Sequence, residues 1–352
     1  MRIFGGKGNY AYACTRVKAK KSFLLARDVY SRMLVMDVYQ IGRYLGETQY
    51  KDEMAHFASE HSGADLVEVA VTRSLARSCS DILSFTTGHL REMVSYYLKR
   101  WDTFNVKTIL RGKITNVSEH ELFETLVPAG MLSEQYLKSL VEMQSLQDIM
   151  DSLSKQPMLG ITPEFVREVV DAKRLASLED HLDKKLYSDL LLTIEETNSA
   201  ERILREFVRR EVDVTNLKVL LKLKAEKIPE DRIQKYLIPG GMEFDVSKLR
   251  SLAQAEGISP IIDQLERSSL YPYIKDALER FKSDKKLSGI TIALDSALIG
   301  TSEKFAHFYP LSVLPIVNYM IRKKVEVDNI RMIARGKQNG LSNKVIEDLL
   351  VM

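Results

Sequence analysis

A chain of 352 residues, 45% of them hydrophobic, is long enough to pack two or three domains. The formal net charge is only +3, from 51 basic and 48 acidic residues, which argues against a dedicated nucleic-acid binder. Two cysteines, Cys14 and Cys79, supply neither a disulfide framework nor a metal quartet, and read as free thiols in a reducing compartment.

In chain order the sequence predicts helix nearly throughout. Residues 1–8 carry three glycines and read as a loose lead. A helix with a basic end follows at 10–21. Tyr30, Leu34, Val38, Ile41 and Leu45 recur at helical spacing and predict one amphipathic helix over 23–45. His61-Ser62-Gly63 punctuates, 65–85 is helical, Gly88 breaks the pattern and 89–100 resumes it. Asp102 stands as an N-cap, and Ser118 with Glu121 forms a capping-box pattern for a short helix ending before Pro128. Ser133 caps a helix through Leu153, and Thr162-Pro163 opens the next. Helical spacing continues over 175–196 and 200–210, and Pro229 starts a short helix that ends at Pro239-Gly240-Gly241. Helices are expected at 260–268, 272–282 and 288–299. Pro310 and Pro315 allow a kinked or late-starting helix through Lys324, and 342–351 forms the last one. No alternating run is long enough for a strand, so the expected class is all-α.

One stretch occurs three times: WDTFNVKTILRGK at 101–113, VDVTNLKVLLKLK at 212–224 and VEVDNIRMIARGK at 325–337. The copies align without gaps on Asn105, Asn216 and Asn329. An acid precedes each asparagine by three (Asp102, Asp213, Glu326), and an apolar residue follows it (Val106, Leu217, Ile330). Bases stand at +2 (Lys107, Lys218, Arg331), +6 (Arg111, Lys222, Arg335) and +8 (Lys113, Lys224, Lys337). Downstream, the first two copies share a Pro-x-Gly, Pro128 to Gly130 and Pro239 to Gly241, where the third copy reaches the last residue. A period of about 112 residues is too long for a solenoid unit and predicts three small helical domains, at 1–130, 131–242 and 243–352.

The chemistry of a catalyst is missing from the pattern. Gly5-Gly6-Lys7-Gly8 lacks the rest of a phosphate loop and any strand before it. Arg111-Gly112-Lys113 and Arg335-Gly336-Lys337 read as helix ends, with glycine as the stop. The six histidines include no metalloprotease pair, and no cysteine completes a metal set. No catalytic residue, cofactor or metal is assigned. There is no apolar run of 18 residues and no apolar leader, so neither a membrane span nor a secretory signal is expected.

What recurs is charge. Positions +2 and +6 are i and i+4 on a helix and share one face, while +1, +4 and +5 turn to the core. Lys107, Arg111, Lys218, Lys222, Arg331 and Arg335 are therefore the candidate partner-binding residues, set against the plainer reading of a solvated face. The asparagine is expected to join a local capping network.

The threefold acid-x-x-Asn-apolar-base signature, the Pro-x-Gly links and the length resemble the C subunit of archaeal A-type ATP synthases, the counterpart of the d subunit of V-type ATPases. The resemblance covers essentially the whole chain. It is most specific at YLKRWDTFNVKTILRGK and NIRMIARGKQNGLS. It implies an all-α protein of three similar domains about a pseudo-threefold axis, shaped as a funnel and without a nucleotide site. It implies a central-stalk subunit that joins the rotor shaft to the membrane proteolipid ring, peripheral at the cytoplasmic face of the membrane. Gly112 stands where the second copy has Leu223, so strict symmetry is not kept. The other readings are a helical scaffold gathering partner proteins, a basic helical nucleic-acid binder, and an all-α enzyme with a dispersed site.

Overall fold

The computed structural model describes residues 8–351. Among these residues are nineteen helices and no strand. They are α1 (Tyr10–Lys21), α2 (Arg27–Leu34), α3 (Val38–Leu45), α4 (Lys51–Phe57), α5 (Gly63–Phe85), α6 (Gly88–Ile114), α7 (Glu119–Thr125), α8 (Glu134–Glu142), α9 (Leu146–Ser154) and α10 (Pro163–Ala172). There follow α11 (Ala176–Thr193), α12 (Ser199–Ala225), α13 (Glu230–Tyr236), α14 (Val246–Gln254), α15 (Ser259–Glu266), α16 (Tyr271–Asp284), α17 (Leu287–Phe308), α18 (Leu314–Gln338) and α19 (Asn343–Glu347). The all-α class is as expected from the sequence. The loose lead at 1–8 lies outside the described residues but for Gly8.

Local chemistry moves several expected boundaries. The single helix over 23–45 is two, because Asp37 accepts from the Gln40 N–H while the Gln40 side chain accepts from the Asp37 N–H. That reciprocal pair starts α3 afresh. The helix from Ser133 to Leu153 is likewise two, with Ser133 capping α8 and Ser145 capping α9. Ser118 caps α7 as its pattern predicts. Pro315 sits in the first turn of α18, where a missing N–H costs nothing. The largest difference concerns the signatures. Each lies in the second half of one long uninterrupted helix, so Asp102 is not an N-cap. Gly112 and Gly336 are not stops either. They let a neighbouring side chain in, since a β-carbon would lie 2.6 Å from Leu122 at the first and 2.7 Å from Ile346 at the second.

The chain divides into two compact units. The described part of one is residues 8–9 and Thr72–Thr193. In it Val106, Ile109 and Leu110 of α6 share a core with Leu122, Leu140, Ile149, Leu153, Val169 and Leu182 from the helices that follow α6, and with Leu132 from the connection before α8. Full burial of each such side chain contributes about 1.5–3 kcal/mol.

The other unit is Tyr10–Val71 with residues 194–351. Here Leu217, Leu220 and Leu221 of α12 share a core with Ile233, Leu249, Ile261, Leu265, Ile274, Leu278 and Leu294, again from helices that follow. After α18 only the short α19 remains, and α18 packs instead on α1, α2 and α3. Ile330, Ile333 and Ala334 are buried on it.

Candidate partner-binding site

The buried side of the signature helix does the same work three times. Asn105 donates to the Val127 carbonyl at 2.7 Å and accepts from the Val127 N–H at 2.8 Å. Asn216 holds Ile238 the same way, at 2.8 Å for both bonds. Asn329 holds Val351 at 2.8 and 3.0 Å. Each clamp spans 22 residues. A primary amide offers one donor and one acceptor side by side, which matches one residue of extended backbone. The clamp pins the chain leaving the short helix after each signature. It is not the local cap expected from the sequence.

The acid three residues earlier gathers backbone N–H groups. Asp102 accepts from Met131 and Leu132 at 2.8 and 2.9 Å. Asp213 accepts from Met242, Glu243 and Phe244 at 3.0, 2.9 and 3.1 Å. The glycine of each Pro-x-Gly makes room for this, because a β-carbon at Gly130 would lie 2.1 Å from Asp102 Oδ1 and one at Gly241 would lie 2.2 Å from Asp213 Oδ1. Burial pushes the Asp102 carboxyl up to about 6, against the two backbone donors and Lys99, which pull it down. Asp213 is raised for the same reason.

In the third copy the longer Glu326 takes the place of aspartate, and three of its donors come from the start of the chain. The Leu25 N–H donates to Oε2, while Gln49, the Tyr50 hydroxyl and Lys323 donate to Oε1. Lys323 is wholly buried, 2.9 Å from the Tyr50 hydroxyl and 4.0 Å over its ring. Tyr50 is fully buried as well, and burial together with Glu326 raises its pKa.

The outward side carries the six candidate bases. Lys107 donates to Asp183, and Arg111 grips Glu179 with two nitrogens, both acids on α11. Lys218 donates to both oxygens of Asp295 on α17, at 2.8 and 2.7 Å. Arg331 lies 3.8 Å from Glu68, and Arg335 pairs with Glu68 and Asp65 on α5. Lys222 is exposed and has no ion pair among the described residues. The pairing acids went unnoticed in the sequence, although a signal was there: Asp183 and Asp295 are 112 residues apart, the repeat period itself.

Side chains that clamp backbone, and bases set against acids of a neighbouring helix, define an all-α protein whose signature residues serve construction and surface. Residues 13–349 match the model of the ATP synthase (C/AC39) subunit family. The chain is similar to the C subunit of the A-type ATP synthase of Methanosarcina acetivorans, 36% identical over 353 residues that cover 99% of this chain and 94% of the relative. It is also similar to that of Methanococcoides burtonii, 34% identical with 99% and 96% covered, and that of Archaeoglobus fulgidus, 32% identical with 99% and 98% covered. The chain belongs to the ATP synthase C/AC39 subunit family and is a non-catalytic subunit of that complex. Among the described residues no helix is long and apolar enough to cross a membrane.

Proposed function

We propose that this subunit is the central-stalk spacer of an A-type synthase, standing between the rotor shaft and the membrane proteolipid ring and passing torque from one to the other. It sits peripherally on the cytoplasmic face, held there by the complex. The reading includes three similar units, 1–130, 131–242 and 243–352, set about a pseudo-threefold axis as a funnel. The observation that carries it is the asparagine clamp, made on equivalent residues in all three copies. A part that must meet a circular ring on one side and a shaft on the other is well served by three like surfaces. The basic faces suit the shaft contact, because charge steers docking and fixes orientation. The experiment is removal of the subunit from the assembled synthase. ATP hydrolysis by the catalytic head should persist while ion-driven synthesis is lost. Synthesis that survives without the subunit refutes the spacer role.

A further inference from the structure

We infer that α17, together with the outward side of α12, forms the groove that receives an acidic amphipathic helix of the shaft, with Lys222 as its charged anchor. The inference rests on the spacer reading and says which copy grips.

The repeat shows what is missing at this place. Lys107 and Arg111 each hold an acid of α11, Asp183 and Glu179. In the next copy Lys218 holds Asp295, the counterpart of Asp183. The counterpart of Glu179, 112 residues on, is Thr291, and Lys222 is left exposed without an acid. A carboxylate from outside would complete the ladder at this one rung.

The helix opposite Lys222 differs in the same sense. On α11, Asp180 and Lys184 pair with each other at 2.7 Å and cover the surface with their own charges. At the equivalent positions α17 carries Ile292 and Ser296, and Ile299 stands where α11 has Tyr187. All three are half-buried. Residues 292, 296 and 299 follow i, i+4, i+7 spacing, a stripe about 10 Å long at 1.5 Å per residue. Ile299 then lines a cleft of about 190 Å³ with Leu24, Leu25, Val325, Arg27 and Arg322, and with Glu326, whose carboxylate is already taken by its own donors. The surface is thus apolar in the middle, with the exposed bases Lys222 at one end and Arg27 at the other, while Arg322 is held by Glu303 of α17. A helix with its own apolar stripe and a carboxylate at one end complements it.

The test uses the full chain and the purified shaft subunits of the same synthase, with affinity measured at low and high salt. Lys222→Glu should weaken binding about tenfold at low salt, the effect of losing an attraction and gaining a repulsion, and less at high salt. Thr291→Glu supplies the missing acid internally and should weaken binding without lowering the melting temperature. Ile292→Asp, which copies α11, should weaken it at both salts. Arg167→Glu breaks only an exposed pair with Glu164 on α10, outside the candidate bases, and should leave affinity unchanged. If Lys222→Glu and Thr291→Glu both bind like the wild type, the groove is not the docking site, and the spacer reading stands. If the wild-type chain itself fails to bind the shaft, both fall.

Discussion

Gly130 lies against the buried carboxylate of Asp102 so closely that a β-carbon on it would come within 2.1 Å of Oδ1. The φ of Gly130 is not positive, so the constraint is steric and does not come from the backbone conformation. Gly130→Ala must displace either the carboxylate or the turn that donates to it. Overpacking of this kind costs about 1–3 kcal/mol. Gly241→Ala should behave alike beside Asp213. Gly289→Ala is the control: nothing lies within 4 Å and the position is helical, so it should stabilise by about 0.5–1 kcal/mol. Urea denaturation of the three variants checks the ranking. Equal stability of Gly130→Ala and wild type would show that the cradle yields freely.

The asparagine clamps predict a graded series. Replacing Asn216 by alanine leaves a buried N–H and a buried carbonyl of Ile238 without partners, whereas Asn105→Ala leaves only the Val127 N–H, because the Val127 carbonyl still accepts from the Ala129 N–H; each group left unpaired costs about 1–3 kcal/mol. Asn329→Ala should cost less, because Val351 is only half-buried and its groups can turn to water. Trp101, the only tryptophan, lies on α6 one turn from Asn105 and reports its unfolding. Its fluorescence during urea denaturation should shift to lower midpoint in Asn105→Ala, and much less in Asn329→Ala.

These residues show how far the sequence could be read. The helical class was legible because apolar spacing within one helix is local, and the repeat was legible because it needs no geometry at all. The partners of Asn105 and Asp102 were not, since they lie 22 to 30 residues downstream. An aspartate before an apolar run looks like a cap whether or not the helix has already begun. Here Gly88 and Leu90 start α6 fourteen residues earlier than Asp102 suggests (102 minus 88), because Gly88 adopts a positive φ at the helix start rather than ending it. The acid partners of the bases were legible only by applying the period of 112 to acids as well as to bases. Lys222 becomes distinct only once the other five bases have been placed.

Asp102 also gives the protein a pH response with a definite sign. Its carboxyl titrates at about 6 when folded and near the ordinary 3.8 when unfolded. The folded state therefore binds the proton more tightly across that window, and stability falls as pH rises from about 4 to about 6. Between pH 7 and pH 5 acidification should stabilise the surrounding unit by about 1 kcal/mol, since each tenfold gain in proton affinity on folding corresponds to about 1.4 kcal/mol. Ordinary carboxylates stay ionised over that range. Melting followed at Trp101 should show the gain in the wild type and its absence in Asp102→Asn. The same slope in both proteins would assign the effect to other groups.

The contact between the start of the chain and α18 makes the last prediction. Asp102 and Asp213 gather N–H groups that follow them on the same stretch of chain, whereas Glu326 gathers Leu25, Gln49 and Tyr50 across nearly the whole sequence. Its charge is matched by Lys323, and both are buried. Removing one member of such a pair leaves the other charged in a dry setting, at about 3–5 kcal/mol. Lys323→Met and Glu326→Gln should each destabilise strongly, and hydrogen exchange should rise first in α2 and α3, which pack on α18. Combining the two removes both charges, so the double variant should be more stable than the sum of the single losses implies. Tyr50→Phe, which removes one hydrogen bond from each ion but keeps the ring under Lys323, should fall between wild type and the single variants. Additive losses in the double variant would mean that Lys323 and Glu326 act independently, and that packing alone holds α2 and α3 against α18.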